Sequence, residues 1–338
     1  MLIEDESITG YTIVTLWVML ILSVPTFLRL LPIQERIRRL NEVSVIAGPS
    51  SSELATRIAS KLDADLVEVE VRIFEDGESK LRVGKIEKKC CIIVQSTYPP
   101  TDRHLIQLLM MIKKCVDCKV RKIYAVVPYM GYARQDREFL EGEVASMGLV
   151  ARLLEASGTA DLITVDIHSS SALSYFTIGV QNISSIPLLA EYTANNIHLN
   201  RPIVVSPDSG GIQRAAEFAA ILRVDTVALK KFRDRHIGRL TIDERLDIDI
   251  DGRDAIIVDD MITSGASIAE ACKVLKEHRC GKVYAICAHA LLVGNATRII
   301  KAAGVEEIIA TNSVPNKSAK VDLSPIISAN LDRLIRTY

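Results

Sequence analysis

Short apolar runs alternate along the chain with segments of helical periodicity, and this alternation limits the fold more than any other feature. The runs are rich in β-branched residues and occupy 43–47, 91–94, 123–127, 162–165, 203–205, 226–229, 255–258 and 283–287. Between them, Leu54, Ile58 and Leu62 recur every four residues, and a second helical stripe follows Ser146. Strands that alternate with helices indicate βαβ units. The sequence therefore predicts an α/β fold in which helices cover mostly parallel sheets.

The length of the chain indicates more than one domain. Its 338 residues exceed the usual size of a domain, about 100–200 residues. Eight strands with their crossovers do not fit comfortably in one sheet of this length, and a turn-rich segment lies near the middle at 184–187. We therefore predict two domains, 43–186 and 187–338, which follow an N-terminal extension at 1–42. No sequence repeat at a fixed period relates them.

Charge and cysteine content exclude several classes of protein. The 41 basic residues nearly equal the 42 acidic residues, so no overall basic field exists to hold nucleic acid, and any anion site must be local. The seven cysteines lack the even, dense spacing of a secreted disulfide scaffold, which indicates a reducing cytosol. Cys115 and Cys118 form a C-x-x-C pair, but no second ligand pair follows at a suitable spacing, which argues against a zinc site.

The N-terminal extension contains an apolar segment at 11–31, which approaches the length of about 20 residues that crosses a bilayer. Acidic residues precede this segment and arginines follow it, so an anchor here would leave the bulk of the protein on the cytoplasmic side of the membrane. A buried amphipathic helix interrupted at Pro25 is a second interpretation. We favour a third, a misassigned start, because the first strand and its turn look complete from Val43 onward. The predicted location is therefore cytoplasmic, with membrane contact only if the segment is real.

The sharpest chemical signal is the sequence IIVDDMITSGASI at 256–268. An apolar strand ends in Asp259 and Asp260, and a loop of small residues then opens a helix. The partial positive charge at a helix N-terminus favours a phosphate, although a helix cap alone would also explain the loop. Two adjacent buried carboxylates are costly unless they bind ribose hydroxyls or a metal ion. The predicted phosphate cradle consists of Thr263, Ser264, Gly265, Ala266 and Ser267.

This segment resembles the phosphoribosyl diphosphate motif of the type I phosphoribosyltransferase fold, so the two domains are both expected to have that fold. The fold hosts several functions, and other motifs must decide among them. FEDGE at 74–78 resembles the F-x-D-G-E loop of ribose-phosphate pyrophosphokinases, and PYMGYARQD at 128–136 is similar to their P-Y-x-x-Y-x-R-Q-D run. Neither belongs to ordinary phosphoribosyltransferases. The resemblance covers essentially all residues after 42 and points to an archaeal-like branch of the pyrophosphokinase family.

Both loops imply an ATP site. The ring of Phe74 can stack on a nucleobase, and the planar guanidinium of Arg134 can donate two hydrogen bonds to a phosphate. Taken singly, D-G-E could be a turn and R-Q-D a solvated cluster of charges. The resemblance assigns ATP binding to Phe74, Asp76, Glu78, Arg134, Gln135 and Asp136.

Asp166 and His168 follow a predicted strand two residues apart, so their side chains emerge on one side of an extended chain. This pair resembles the family's D-x-H metal site, and Asp208 belongs to a segment that resembles its P-D-x-G loop. With ATP as the donor, the resemblance implies Mg²⁺, held by Asp166, His168 and Asp208. It also assigns Asp208, Asp259, Asp260 and the cradle residues 263–267 to ribose 5-phosphate.

The segment LKKFRDR at 229–235 looks like the family's mobile K-x-R segment, which implies that Lys231 and Arg233 stabilise charge in the transition state. Two departures from the family pattern stand out. Lys230 replaces an acidic residue before this lysine. Ala266 replaces a glycine in the cradle, where a positive φ would strain it.

The resemblance implies a transferase that moves the β,γ-pyrophosphoryl group of ATP to the 1-hydroxyl of ribose 5-phosphate. The products would be 5-phosphoribosyl 1-diphosphate and AMP, made for nucleotide biosynthesis by a homo-oligomer of at least two subunits. Two alternatives stay open. One is a catalytically silent homologue that binds nucleotides and regulates a partner enzyme, and the other is a base-specific phosphoribosyltransferase, which would lack the ATP loops.

Overall fold

The computed structural model describes residues 42–229, 231–233, 240–242 and 248–336, with the backbone alone at 231–233 and 240–242. The apolar segment 11–31 lies outside these residues, so its three interpretations remain open. None of the helices in the described part combines the length and apolar character needed to span a bilayer.

The first half of the chain forms a six-stranded parallel sheet and a separate hairpin. Its strands are β1 (Val43–Ala47), β2 (Asp65–Val67), β3 (Val69–Ile73), β4 (Ser79–Val83), β5 (Cys90–Val94), β6 (Lys122–Val127), β7 (Asp161–Val165) and β8 (Gly179–Ile183). The sheet has the order β2-β1-β5-β6-β7-β8, while β3 and β4 pair only with each other, antiparallel. The central strands are buried over most of their length, as expected for a sheet covered on both faces.

The second half repeats this arrangement. Its strands are β9 (Ile203–Ser206), β10 (Asp225–Ala228), β11 (Lys231–Arg233), β12 (Leu240–Ile242), β13 (Ala255–Ile262), β14 (Val283–Ala290), β15 (Val305–Thr311) and β16 (Ala319–Val321). The parallel sheet has the order β10-β9-β13-β14-β15-β16, and β11 and β12 form an antiparallel pair outside it. The two sheets thus share one strand order although the sequence shows no repeat. The predicted α/β class with mostly parallel sheets is confirmed.

The helices cover the faces of both sheets with their apolar sides. They are α1 (Ser52–Leu62), α2 (Thr101–Asp117), α3 (Ser146–Ala156), α4 (Ile186–Asn196), α5 (Ile212–Leu222), α6 (Ala266–Glu277), α7 (Ala296–Ala302) and α8 (Ser324–Arg336). The predicted stripe of Leu54, Ile58 and Leu62 is the buried face of α1. Helix α3 begins at Ser146, where the sequence pattern placed it.

The last helix crosses back to the first sheet. Ile327 and Leu331 of α8 are fully buried in one apolar cluster with Val45 of β1 and Ile58 of α1. A parallel sheet needs helices on both faces, and α8 completes one face of the first sheet together with α1. Part of the predicted domain 187–338 therefore packs on the predicted domain 43–186, and the division at 186 stays a prediction.

Candidate active site

The carboxyl ends of the two sheets face each other, and polar side chains from both meet there. Nδ1 of His168, which follows β7, lies 2.6 Å from Oδ2 of Asp260 in β13. Asp260 is only 5% exposed. A predicted metal ligand and a predicted ribose ligand are thus hydrogen-bonded across the boundary between the sheets.

Arg214 is a site residue that the sequence patterns missed. Its Nη1 lies 3.7 Å from Oδ1 of Asp259 and 3.9 Å from Oδ1 of Asp260. The arginine belongs to the first turn of α5, directly after the loop that contains Asp208. Oδ1 of Asp208 accepts hydrogen bonds from the backbone N–H groups of Gly210 at 2.9 Å and Gly211 at 3.2 Å. The sequence signal that could have identified Arg214 is its position, three residues after Gly211.

The two adjacent aspartates have opposite pKa shifts. Burial and the neighbouring charge of Asp260 raise the pKa of Asp259 well above its usual value. Burial acts to raise the pKa of Asp260 as well, but the His168 hydrogen bond and the charge of Arg214 outweigh it, so this pKa is lowered. Asp260 therefore stays ionised, while Asp259 takes up a proton more readily.

The cradle loop joins β13 to α6. Gly265 adopts a φ of +79° and precedes Ala266, the first residue of the helix. A Cβ at Gly265 would lie 2.8 Å from Cγ1 of Ile300 and 3.1 Å from the carbonyl oxygen of Ala296, so this position requires glycine. Ala266 has no positive φ, so the condition for strain at this position is not met, because Gly265 makes the turn. Thr263, Ser264 and Ser267 keep solvent-accessible surface beside the helix N-terminus.

The carboxylate of Asp166 is hydrogen-bonded to Ser185. Its Oδ2 accepts hydrogen bonds from the backbone N–H of Ser185, at 2.9 Å, and from the Ser185 hydroxyl. Within the described ranges, no group of three or more His, Cys, Asp or Glu side chains is arranged to hold a metal ion. Mg²⁺ does not need such a cage, because it keeps water and substrate phosphate oxygens as ligands beside one or two carboxylates. The carboxylates and the imidazole at this site fit an ion of that kind.

A cavity of about 950 Å³ opens beside His168, within the usual range for ligand sites of about 300–1,000 Å³. It is lined by Pro100, Thr101, Asp102, Tyr129, Gly131, Tyr132, Arg134, Gln135, Phe139 and His168. Arg134 and Gln135, both predicted to bind ATP, therefore lie in one cavity with a predicted metal ligand.

The other predicted ATP residues lie elsewhere. Phe74, Asp76 and Glu78 occupy the turn between β3 and β4, are solvent-exposed and do not line this cavity. The ring of Phe74 lies 5.0 Å from the guanidinium carbon of Arg72. Oδ1 of Asp76 accepts the backbone N–H of Glu78 at 3.0 Å. Their assignment to ATP stays a prediction.

Asp136 faces the protein interior rather than the cavity. It is 8% exposed, and its Oδ2 accepts hydrogen bonds from the hydroxyls of Ser169, at 2.7 Å, and Ser171. The hydroxyl of Tyr175 donates to the backbone carbonyl of Asp136 at 2.6 Å. The hydrogen bonds from Ser171 and Ser169 lower the pKa of Asp136. The segment that contains Arg134 is thereby tied to the segment that follows His168.

Lys231 and Arg233 form strand β11, where Lys231 pairs with Ile242 and Arg233 with Leu240 of β12. Their side chains, together with Lys230, lie outside the described part of the structure. The catalytic role of the two residues stays a prediction.

Comparisons with known proteins decide the family. A family model described as the N-terminal domain of ribose phosphate pyrophosphokinase matches residues 43–158, and one described as a phosphoribosyl synthetase-associated domain matches 241–337. The ribose-phosphate pyrophosphokinase of Methanobrevibacter smithii is 39% identical over 294 residues, which cover 84% of this chain and 98% of the relative. The chain belongs to the ribose-phosphate pyrophosphokinase family.

Two further comparisons support membership in the pyrophosphokinase family. The ribose-phosphate pyrophosphokinase of Sulfurisphaera tokodaii is 34% identical over 291 residues, covering 85% of this chain and 99% of the relative. The crystal structure of phosphoribosylpyrophosphate synthetase from Mycobacterium smegmatis has a TM-score of 0.77 at 27% identity, covering 88% of this chain and 100% of that one. The family resemblance inferred from the sequence is confirmed.

Proposed function

We propose that the protein is a ribose-phosphate diphosphokinase, which makes 5-phosphoribosyl 1-diphosphate and AMP from ribose 5-phosphate and ATP. One observation carries this proposal. The cavity that contains Arg134 and Gln135 opens at His168, and His168 contacts Asp260 at the start of the ribose-phosphate cradle. A nucleotide in the cavity and a sugar phosphate in the cradle would therefore be neighbours, as direct transfer between them requires.

The cradle side supplies the acceptor site. The N-terminus of α6 and the hydroxyls of Thr263, Ser264 and Ser267 would bind the 5-phosphate. Asp259 and Asp260 would accept hydrogen bonds from the ribose hydroxyls, with Asp208 at the neighbouring strand end. The lowered pKa of Asp260 supports this role, since an ionised carboxylate is the stronger acceptor.

The cavity side supplies the donor site. The planar guanidinium of Arg134 suits two phosphate oxygens, and Gln135 offers an amide beside it. Mg²⁺ bound to phosphate oxygens and to His168, Asp166 or Asp208 would reduce the negative charge of the triphosphate. The protein residues would orient the 1-hydroxyl oxygen toward the β-phosphorus, where a new P–O bond forms as the bond to AMP breaks. AMP leaves with the electron pair of the broken bond, and the hydroxyl proton passes to water. Lys231 and Arg233 would stabilise the negative charge that spreads during this exchange.

Self-association and location are further parts of the proposal. Phe139, Leu140 and Val144 are 51%, 66% and 69% exposed, and Leu149 of α3 is exposed as well. Exposed apolar side chains in the segment that follows Gln135 support a homo-oligomer of at least two subunits. Sedimentation equilibrium of the full chain would test it, and a monomer at all concentrations would exclude it. We expect the enzyme in the cytoplasm.

The decisive test measures AMP and 5-phosphoribosyl 1-diphosphate after incubation of the full chain with ATP, ribose 5-phosphate and Mg²⁺. Lys231→Ala should abolish most of the turnover, and a chelator should do the same to the native protein. Product formation from a nucleobase and 5-phosphoribosyl 1-diphosphate, without turnover of ATP, would instead identify a base-specific phosphoribosyltransferase. Binding of ATP without either reaction would identify a silent regulatory homologue. The match to pyrophosphokinases over nearly their whole length favours neither alternative.

A further inference from the structure

His289 is a buried imidazole at the junction of the two sheets, and no sequence motif singled it out. It belongs to β14 and is 1% exposed. Its Nε2 lies 3.0 Å from the carbonyl oxygen of Val165, the last residue of β7, and 3.4 Å from that of Asp166. Its Nδ1 lies 2.8 Å from the hydroxyl oxygen of Ser313. A side chain of the second sheet thus holds the backbone from which Asp166 and His168 extend.

The hydrogen-bonding partners define the state of the ring. A carbonyl oxygen only accepts hydrogen bonds, so Nε2 must bear the proton that His289 donates to Val165. In a neutral ring Nδ1 is then an acceptor, and it faces the hydroxyl of Ser313, which also lies 3.1 Å from the carbonyl oxygen of Ala288. Both ring nitrogens are therefore used, and the ring has one orientation.

The ring of His289 also contacts the chain segment that lines the cavity assigned to ATP. The ring of Tyr129, which lines the cavity, meets His289 edge-on, with the centroids 5.1 Å apart. The backbone N–H of Tyr129 donates to Ser96, whose hydroxyl in turn donates to the carbonyl oxygen of Ser313 at 2.6 Å. His289 and Ser313 therefore contact the segment that precedes Arg134 and Gln135 and the segment that contains Asp166.

Strand register connects this junction to the ribose-phosphate side. His289 pairs with Met261 of β13, the residue after Asp260. Two contacts between the sheets therefore lie side by side, one from His289 to Val165 and one from Asp260 to His168. Two neighbouring contacts restrict rotation between the two sheets more than a single contact does.

We propose that His289 is a positioning residue, which sets the nucleotide half of the active site against the ribose-phosphate half. This inference rests on the proposed function, and it assigns His289 no contact with a substrate. Each half is built within its own sheet, so loss of the contact should leave the binding of each substrate nearly intact. The rate of transfer should fall, because a displacement of about 1 Å between reacting groups can cost about 100-fold.

The test compares kcat and both KM values of the native full chain with those of His289→Leu and His289→Gln. Leucine should lower kcat at least tenfold, roughly, with each KM changed less than about threefold. Glutamine can again donate to Val165, so it should recover a substantial part of kcat. Thr193→Val is the matched control, since it removes a buried hydroxyl that bonds only within α4, and it should retain the native kcat.

Thermal unfolding of each variant shows whether a lowered kcat comes from lost positioning or from a smaller folded fraction. If His289→Leu does not fold, His289→Asn tests the same contact, because its shorter amide can still meet Ser313 but does not reach Val165, so it should lower kcat with both KM values preserved. Native kcat in folded His289→Leu or His289→Asn would overturn the inference. A glutamine variant no better than leucine at equal folded fraction would overturn it as well. An inactive native chain would instead contradict the proposed function.

Discussion

Nδ1 of His168 and Oδ2 of Asp260 lie 2.6 Å apart, although the two residues belong to different sheets and are separated by 92 positions in the chain. Each of them is also a predicted ligand of a different substrate or ion. A ribose hydroxyl or a metal ion that binds Oδ2 of Asp260 must share or replace this hydrogen bond. The site is therefore held together by groups that would change partners when substrates bind.

Arg214 should be needed for binding of ribose 5-phosphate, because it lies near both Asp259 and Asp260 and offsets their charge. Arg214→Gln should reduce kcat/KM for ribose 5-phosphate at least tenfold, about 1.4 kcal/mol, and change KM for ATP much less. Steady-state kinetics with each substrate varied in turn would measure this. Arg279→Gln removes a surface arginine paired with Asp251 and should behave like the native enzyme. Equal losses for both substrates would contradict the assigned position of Arg214.

Gly265→Ala should damage the cradle for two separable reasons, the positive φ and the contact with Ile300 and Ala296. We expect a destabilisation of about 1–3 kcal/mol and a raised KM for ribose 5-phosphate. Gly252→Ala is the matched control, because Gly252 has a φ of +67° but no atom within 4 Å of an added Cβ. It should cost stability without raising KM. Calorimetry and kinetics on both variants would measure these effects, and a native KM in Gly265→Ala would argue against the cradle.

Much of the fold could be read from the sequence, because parallel strands buried on both faces appear as continuous apolar runs. The eight predicted runs all became strands, and the cradle loop lies where its pattern placed it. The edge strands β2, β8 and β16 were missed, since they are only partly buried. The interior strand β15 was missed as well, because the exposed Glu306 and Glu307 interrupt its apolar run. Helix α8 could be predicted as a helix, but nothing local indicates that it packs on the first sheet rather than the second.

The site was less predictable for a physical reason. A motif specifies residue types near a strand end, whereas the role of each residue depends on partners that are distant in sequence. Asp136 illustrates this, because its partners Ser169 and Ser171 lie 33 and 35 positions away. Arg214 and His289 illustrate the same point, since their partners Asp259, Asp260 and Val165 are distant in sequence.

Asp136 should act by fixing the segment of Arg134 and Gln135 rather than by binding ATP itself. Asp136→Asn and Ser171→Ala should each lower kcat/KM for ATP, and the double variant should be little worse than either single one. In a double-mutant cycle, two groups that act through one hydrogen bond show a coupling energy of about 0.5–3 kcal/mol. A double-mutant cycle of kcat/KM for ATP would measure it. Additive losses would mean that Asp136 has a separate role, such as direct contact with the nucleotide.

Asp322 should make the attachment of α8 depend on pH. Its Oδ1 accepts the backbone N–H of Ser324 at 3.0 Å, and its Oδ2 accepts the Ser324 hydroxyl at 2.7 Å. Burial acts to raise the pKa of Asp322, but hydrogen bonds from Ser324 and Asn312 and the charge of Arg57 outweigh it and lower the pKa. A carboxyl whose pKa is lower in the folded state stabilises that state above its unfolded pKa, about 3.9. This contribution is lost as the pH falls through the folded pKa.

Asp322→Ala should therefore reduce the free energy of unfolding by about 1 kcal/mol at neutral pH, the usual cost of losing such a cap. The difference from the native protein should shrink as the pH falls below about 4, because the native carboxyl then takes up a proton. Asp322→Asn keeps an oxygen for Ser324 without the charge, so it should cost less than alanine, and its deficit should also vanish in acid. Urea unfolding over this pH range would measure all three proteins. A deficit that stays constant with pH would show that the Asp322 charge does not stabilise the start of α8.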